Sequence, residues 1–598
     1  MKPALATIIF ILSVLPVGHL HAHAPDQPTA YLTGGNEARI LEMPEPYFSR
    51  EARRLLDLPP LAHDSTTTDT WVYQPPTTQY SSDVARETQE LRSALSAMTV
   101  DATRANDLAT SYSALREAMT ADPPYGDPRP VVDMQAAESM LQQLPSEFAL
   151  YVRGAAAFKH GELQEALNQW THLLQLPPEQ RHYRSVWAAY MIGKAWIQST
   201  EPAQAIPFFQ QCRALASEGY ADMLGLADRS LGWEAHANLK IGDYRKALRQ
   251  YVERVVADPE ERDWTSVLMV CEKVRNEKKL DVEFVRDPLC RKALTASILS
   301  ERLWDETYPW ETHEKDFVST DTLMTRKWLD LVHEAKVDLS SAEAEDLAWT
   351  SYNQGQMEMA TQWLNTSSSL TFVGRWLQSK LLLHEGKVDE AIALLEELRT
   401  EIPLDEVWST DGDVSIDGYI AQHARYQPFG GGMTYAVGTW PSGEVCAQLG
   451  VLYLGKGNYI ESLDALACSG FWEDAAYVAE RVLTVEELKK YLRTQADDPA
   501  LQLPRNVHCF GGGTILENLN YVCGRRLARL HLWDEAREFF TKAQRYEKSS
   551  DEWNQPVAID LIIYDDFVTN IKLAKDKQRS VHQRAEALYN CGMVARKW

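Results

Sequence analysis

Residues 154–178 read GAAAFKHGELQEALNQWTHLLQLPP, and the fold turns on how that stretch is spaced. Gly154, Gly161, Ala166, Trp170 and Pro178 stand seven, five, four and eight residues apart. The same steps recur in AHANLKIGDYRKALRQYVERVVADP, through Ala235, Gly242, Ala247, Tyr251 and Pro259. They recur again in SKLLLHEGKVDEAIALLEELRTEIP, through Ser379, Gly386, Ala391, Leu395 and Pro403. Five positions agreeing in three places make an internal repeat, and its physical reading is a helix pair. The first small residue lets one helix approach its partner closely, and the glycine supplies a turn where a side chain would be costly. The alanine and the large apolar residue four later share one face of the second helix, and the proline marks its end.

Four further stretches keep part of the spacing. They are Gly193, Ala205 and Phe209; Ala348, Gly355, Ala360 and Leu364; Gly450, Gly457 and Leu466, with Ser462 in the alanine place; and Gly524, Ala536 and Phe540, with His531 where the turn glycine belongs. So spaced, the segments resemble tetratricopeptide repeats, a family that pairs small, turn, alanine, aromatic and proline positions over about 34 residues. Seven units of that length would cover roughly 240 residues, or about two-fifths of the chain. The resemblance implies an all-α fold, a tetratricopeptide-like α-solenoid of stacked antiparallel helix pairs, because a single pair cannot bury its apolar face. It also implies binding of a protein or peptide, and not catalysis. Long helical stretches without the motif, such as 261–345, are expected to form degenerate or larger hairpins.

Outward from the repeats, the ends read differently. The apolar stretch from Ala4 to Val17 follows Met1-Lys2-Pro3 and is too short to span a bilayer, which takes about 20 residues, so residues 1–22 read as a secretory signal peptide. Cleavage fits after Ala22 or after Ala24, and retention as an anchor stays open. His19, His21 and His23 fall in that flank and read as part of it. No cysteine precedes Cys212, which argues against lipid attachment near the cleavage site. Residues 23–84, with eight prolines from Pro25 to Pro76, suit an extended arm carrying one short helix near Ser49–Leu56. Beyond it we expect a helical part at 85–345, a repeat pair at 346–403, a Gly/aromatic insertion at 404–443 and further repeat helices at 444–598.

Composition limits the partners. Of 598 residues 45% are hydrophobic and 24% charged, ordinary globular values. Sixty Lys and Arg against 85 Asp and Glu leave a net charge of −25, which repels phosphate backbones, so nucleic acid is not expected as a partner. Eight cysteines without a CxxC give no support to a zinc site, and no metal or cofactor is expected. Cys509 and Cys523 bracket a glycine-rich loop and are the first candidates for a disulfide in an oxidising compartment.

Motif-like stretches favour plain readings. Gly450 to Lys456 resembles a phosphate loop, but Gly457 stands where the magnesium-ligating Ser or Thr belongs, and the segment falls in a repeat helix. Asp411, Asp413 and Asp417 suggest a calcium loop, but Ile416 takes the glycine position and Gln422 that of the bidentate Glu, so a solvated acidic turn is the better reading. The candidate binding residues are the aromatics of the insertion, Trp408, Tyr419, Tyr426, Phe429, Tyr435 and Trp440, set around Gly430 to Gly432. Rigid rings in such a loop can form a recognition surface, or they can plug the end of a groove. Many of the 18 tryptophans, Trp170, Trp187, Trp349 and Trp533 among them, sit within repeat patterns and fit core packing, with a sugar-binding aromatic platform as the alternative. No HExxH or GxSxG motif occurs, so no catalytic residue is assigned.

The sequence thus points to an exported, non-catalytic interaction scaffold or adaptor of a bacterial cell envelope, periplasmic or extracellular, with an unidentified protein or peptide partner and no integral membrane segment after signal cleavage. A cell-wall or glycan-binding protein, associated with the wall, and an unrecognised hydrolase are the alternatives.

Overall fold

The computed structural model describes residues 32, 39–44, 46–59, 77–120, 133–258, 264–300, 320–404, 406–409, 414–415, 438–495, 501, 514–543 and 561–595. These residues are mostly helical, with three short strands. Among them no helix is long and apolar enough to cross a membrane. The chain divides into two compact units. The first comprises Pro46–Ser367 with Thr410–Gly412, and the second comprises Met1–Glu45, Ser368–Ser409 and Asp413–Trp598.

In the first unit, α1 (Phe48–Leu55) is followed by α2 (Thr77–Ala97), α3 (Ala102–Thr120) and α4 (Met134–Leu141). Then come α5 (Ser146–Lys159), α6 (Leu163–Gln175), α7 (Ser185–Gln198), α8 (Ala205–Ser217), α9 (Leu226–Ile241) and α10 (Tyr244–Ala257). The helices pack as consecutive hairpins: α2 with α3, α5 with α6, α7 with α8, α9 with α10. The stretch without the motif holds α11 (Thr265–Asn276), α12 (Val282–Arg286), α13 (Pro288–Leu299) and α14 (Thr320–Ala335), and the unit closes on the hairpin of α15 (Ser341–Asn353) with α16 (Met357–Thr366).

In the second unit, α17 (Phe372–His384) pairs with α18 (Val388–Glu401), and α19 (Pro441–Lys456) with α20 (Tyr459–Ser469). After α21 (Trp472–Tyr477), a π-type turn at Val478–Val482 and α22 (Val485–Thr494), the hairpins α23 (Ile515–Arg529) with α24 (Trp533–Lys542) and α25 (Leu561–Lys575) with α26 (Val581–Ala595) follow. The span 346–403 therefore carries two hairpins, and the division between the units falls between them, at Ser367.

The repeat spacing has a direct structural cause. A Cβ placed on Gly154 would collide with the ring of Trp170, one on Gly193 with Phe209, one on Gly450 with Leu466 and one on Gly524 with Phe540. Each pair joins the first position of a unit to the large apolar position sixteen residues on. The seven-five-four spacing is thus the path length from the close-approach site, around the turn, to the knob that fills it. The turn residues Gly161, Gly242 and Gly386 have φ of 81°, 85° and 76°, the left-handed region where a side chain is strained. His531 takes the same conformation at φ 62° and performs the turn without a glycine. The phosphate-loop-like segment is helical within α19, and Gly457 caps it.

One expectation needs correction. The arm does not run to residue 84, because α2 begins at Thr77, directly after Pro76; once the last proline is passed, nothing opposes helix. The described residues are consistent with an all-α fold, to which the insertion adds only three short strands. These are β1 (Glu406–Ser409), β2 (Val414–Ser415) and β3 (Gly438–Thr439), an antiparallel sheet in the order β2-β1-β3. Glu406 pairs with Ser415 and Trp408 with Thr439.

Candidate binding surfaces

The sheet brings two of the predicted aromatics to the root of the insertion. Trp408 is 1% exposed and packs against Trp376 and Phe372 of α17, each at 6.3 Å between ring centroids. Its Nε1 donates to Glu406 Oε1 at 2.5 Å. Trp440 stands beside Thr439, the β-partner of Trp408, and its Nε1 donates to the Leu404 carbonyl at 3.0 Å. Trp408 fastens the insertion to α17 and has no free face for a ligand, and Trp440 ties the two ends of the insertion together. Tyr419, Tyr426, Phe429 and Tyr435 lie outside the described residues, as do Asp411, Asp413 and Asp417. So does Cys509; Cys523 is a free thiol buried in α23, and burial pushes it up to about 12.

A polar cavity of about 230 Å³ opens in the second unit between α18, α19, α20 and α22. Arg399 donates to Asp464 at 2.8 Å, and the Tyr491 hydroxyl donates to the other oxygen of Asp464 at 3.1 Å. The Tyr453 hydroxyl donates to Glu396 at 2.6 Å; burial, and then that carboxylate, raises it above an ordinary phenol. With Glu461 the cavity holds three carboxylates to one guanidinium. Such a lining suits hydrogen-bond donors and cations. Nothing in the sequence singled it out, because its members come from four helices and each looks like an ordinary surface residue of its own.

The N-terminal arm also packs against helices of each unit. In the second unit, residues 39–41 form a 3₁₀ turn against α17 and α19. The ammonium of Lys380, fully buried on α17, donates to the Ile40 carbonyl at 2.7 Å and to Gln448, whose Oε1 also accepts from Trp376 Nε1 at 2.9 Å. Burial drives the Lys380 amine well below its ordinary value. In the first unit, α1 lies on α13 and α15, burying Tyr47, Ala52, Leu55 and Leu56. Phe48 meets Trp264 edge-on at 6.1 Å. Arg54 pairs with Glu51 at 2.8 Å, with Glu345 at 3.7 Å and with Asp346. Burial alone would raise the Glu51 carboxyl, but Arg50 and Arg54 hold it below its ordinary value, whereas burial pushes Asp346 well above.

A second buried ionic network, in the first unit, is structural. Arg116 grips Glu87 at 2.7 and 2.9 Å, and Arg184 pairs with Glu90 beneath the rings of Phe148 and Trp187. It fastens the hairpin of α2 and α3 to α5 and α7. No protein-family model matches the chain, and no curated protein matches it.

Proposed function

We propose that the protein is an exported, tetratricopeptide-like interaction scaffold or adaptor of a bacterial cell envelope, non-catalytic, whose stacked hairpins form an α-solenoid that holds a protein or peptide segment. One observation carries this reading. In each unit, helices hold a piece of the chain's own N-terminal arm, the repeat helices α17 and α19 in the second and α13 with the repeat helix α15 in the first, through buried apolar and polar side chains. Surfaces that take a chain segment in cis have the chemistry to take one in trans, since main-chain and side-chain contacts of the same kind recognise peptides. The acidic charge of the whole chain, −25, suits a basic partner. The test is to immobilise the purified protein and expose it separately to envelope extract freed of wall and to insoluble cell wall. Retention of a discrete protein from the extract is expected. Retention of the wall alone would make it a glycan-binding protein, and turnover of wall fragments or peptides would make it a hydrolase.

A further inference from the structure

We infer that α1 is an internal ligand, and that the face of α13 and α15 beneath it receives an arginine-bearing amphipathic helix of a partner protein, which displaces α1. The inference rests on the scaffold reading and names the surface, the chemistry of the partner and the control of access.

Three observations lead to it. First, α1 has eight residues, Phe48–Leu55, and Tyr47 at its N-terminus makes no side-chain capping bond. A helix that short is marginal in water, where about 12–15 residues are needed. Its form therefore comes from the face it lies on, as a bound peptide's would.

Second, the contact has the pattern of ligand recognition. One face of the helix delivers apolar Ala52 and Leu55 into the core, and Arg54 reaches the carboxylates of Glu345 and Asp346 on α15. Lys292 on α13 faces Asp57 just beyond the helix at 3.6 Å. A partner helix with arginine beside small and branched apolar residues would repeat this pattern.

Third, the fit in cis is incomplete. Asp346 is fully buried, yet its Oδ2 has no hydrogen-bond donor, and Arg54 Nη1 has no acceptor within bonding distance among the described residues. Glu51 of the arm itself adds a third acid beside Glu345 and Asp346, set against the guanidinium groups of Arg50 and Arg54. Buried polar atoms left without partners cost free energy that a better-matched occupant recovers. A partner helix that brings a second donor to Asp346, without an acid in the place of Glu51, binds this face better than α1 does. The chain's own helix keeps the advantage of being tethered until such a partner is present.

The experiment uses the full chain and a fluorescent peptide of residues 46–59 as the probe. Wild-type protein is compared with Arg54→Glu, which sets a fourth acid against Glu51, Glu345 and Asp346 and so loosens α1 while leaving the face intact. Peptide affinity should rise at least about tenfold in the variant, since opposing a buried ion pair is strongly unfavourable. Equal affinity for both proteins, with helicity unchanged, would overturn the inference. A second form guards against misfolding: wild-type chain carrying a protease site between residues 65 and 69, cut after purification. The cut protein should take up the labelled peptide in place of α1, while residues 39–41 can keep the fragment on α17 and α19. No uptake of the peptide by the cut protein, or a protein that unfolds on cutting, would show α1 to be part of the core and overturn the inference as well. Because the probe is the chain's own peptide, this outcome is independent of partner capture: a partner found by crosslinking whose binding ignores Arg54→Glu would keep the scaffold reading and remove this one.

Discussion

Glu147 is buried at the start of α5, where its Oε2 accepts the backbone N–H groups of Tyr183 and Arg184 at 2.8 Å each. Burial outweighs those donors and raises the carboxyl from 4.5 to about 7. A carboxyl whose folded value is raised binds its proton more tightly in the native state, so its contribution to stability is complete below pH 4.5 and is lost as pH rises to about 7. Urea unfolding across that window should therefore show stability falling with pH, and Glu147→Gln should flatten the slope while leaving stability near pH 8 unchanged or higher. The buried thiols give a second expectation at this scale. Cys212, Cys271 and Cys523 are pushed up to about 12 by burial, so a maleimide at pH 8 should leave them largely unmodified in the native protein and label all three in denaturant. Labelling of any of them at native rates like those of a free peptide would contradict their placement. Single residues are where the sequence was least legible. Trp408 and Trp440 stood out as aromatics of a glycine-rich insertion, but whether a ring is a contact or a root depends on what lies across from it, here Trp376 and the Leu404 carbonyl. Lys380, Arg54 and Asp346 carried no mark at all, because a charged side chain on a helix reads as solvated until a neighbour buries it.

Elements were far more legible, since a hairpin's packing is written into fixed distances along the chain. The close-approach residue and the knob sixteen residues later meet in four units where that residue is glycine. Gly154→Val should then cost about 1–3 kcal/mol, the usual range for overpacking a core, because Trp170 is fully buried and tied by Nε1 to the Tyr151 carbonyl at 3.2 Å. A chemical denaturation midpoint reads this directly, and an unchanged midpoint would argue against the knob assignment. The arm is the second test at this scale. Lys380→Met keeps the length of the side chain but removes the donor to Ile40, leaving a carbonyl that costs about 1–3 kcal/mol if it stays buried. Amide exchange in residues 39–44 should accelerate while that in α17 and α19 stays slow. What the sequence could not give was the sheet in the insertion, whose strands are two to four residues long and show no alternation to read. The start of α2 is marked only by the end of the proline run at Pro76, since the composition around it changes gradually.

At the scale of the whole molecule, charge and repetition are the properties that bear on function. A net charge of −25 should make capture of a basic partner weaken as salt rises, with screening over about 8 Å at 0.15 M. Capture that strengthens with salt would point to an apolar contact instead. Repetition was legible as a count of helix pairs, and the structure adds that they belong to two compact units with a boundary at Ser367, a division that no change in composition announces. The candidate surfaces were hidden because each is assembled from several helices. In the cavity beside Arg399 and in the seat of α1, each helix contributes only one or two polar residues. The most direct test of the scaffold reading is crosslinking of the tagged, full-length protein in living cells, followed by identification of what is bound and where. The account predicts a discrete protein whose crosslinks map to repeat helices and to the arm. Recovery of wall glycan alone, or of no protein above background, would contradict it.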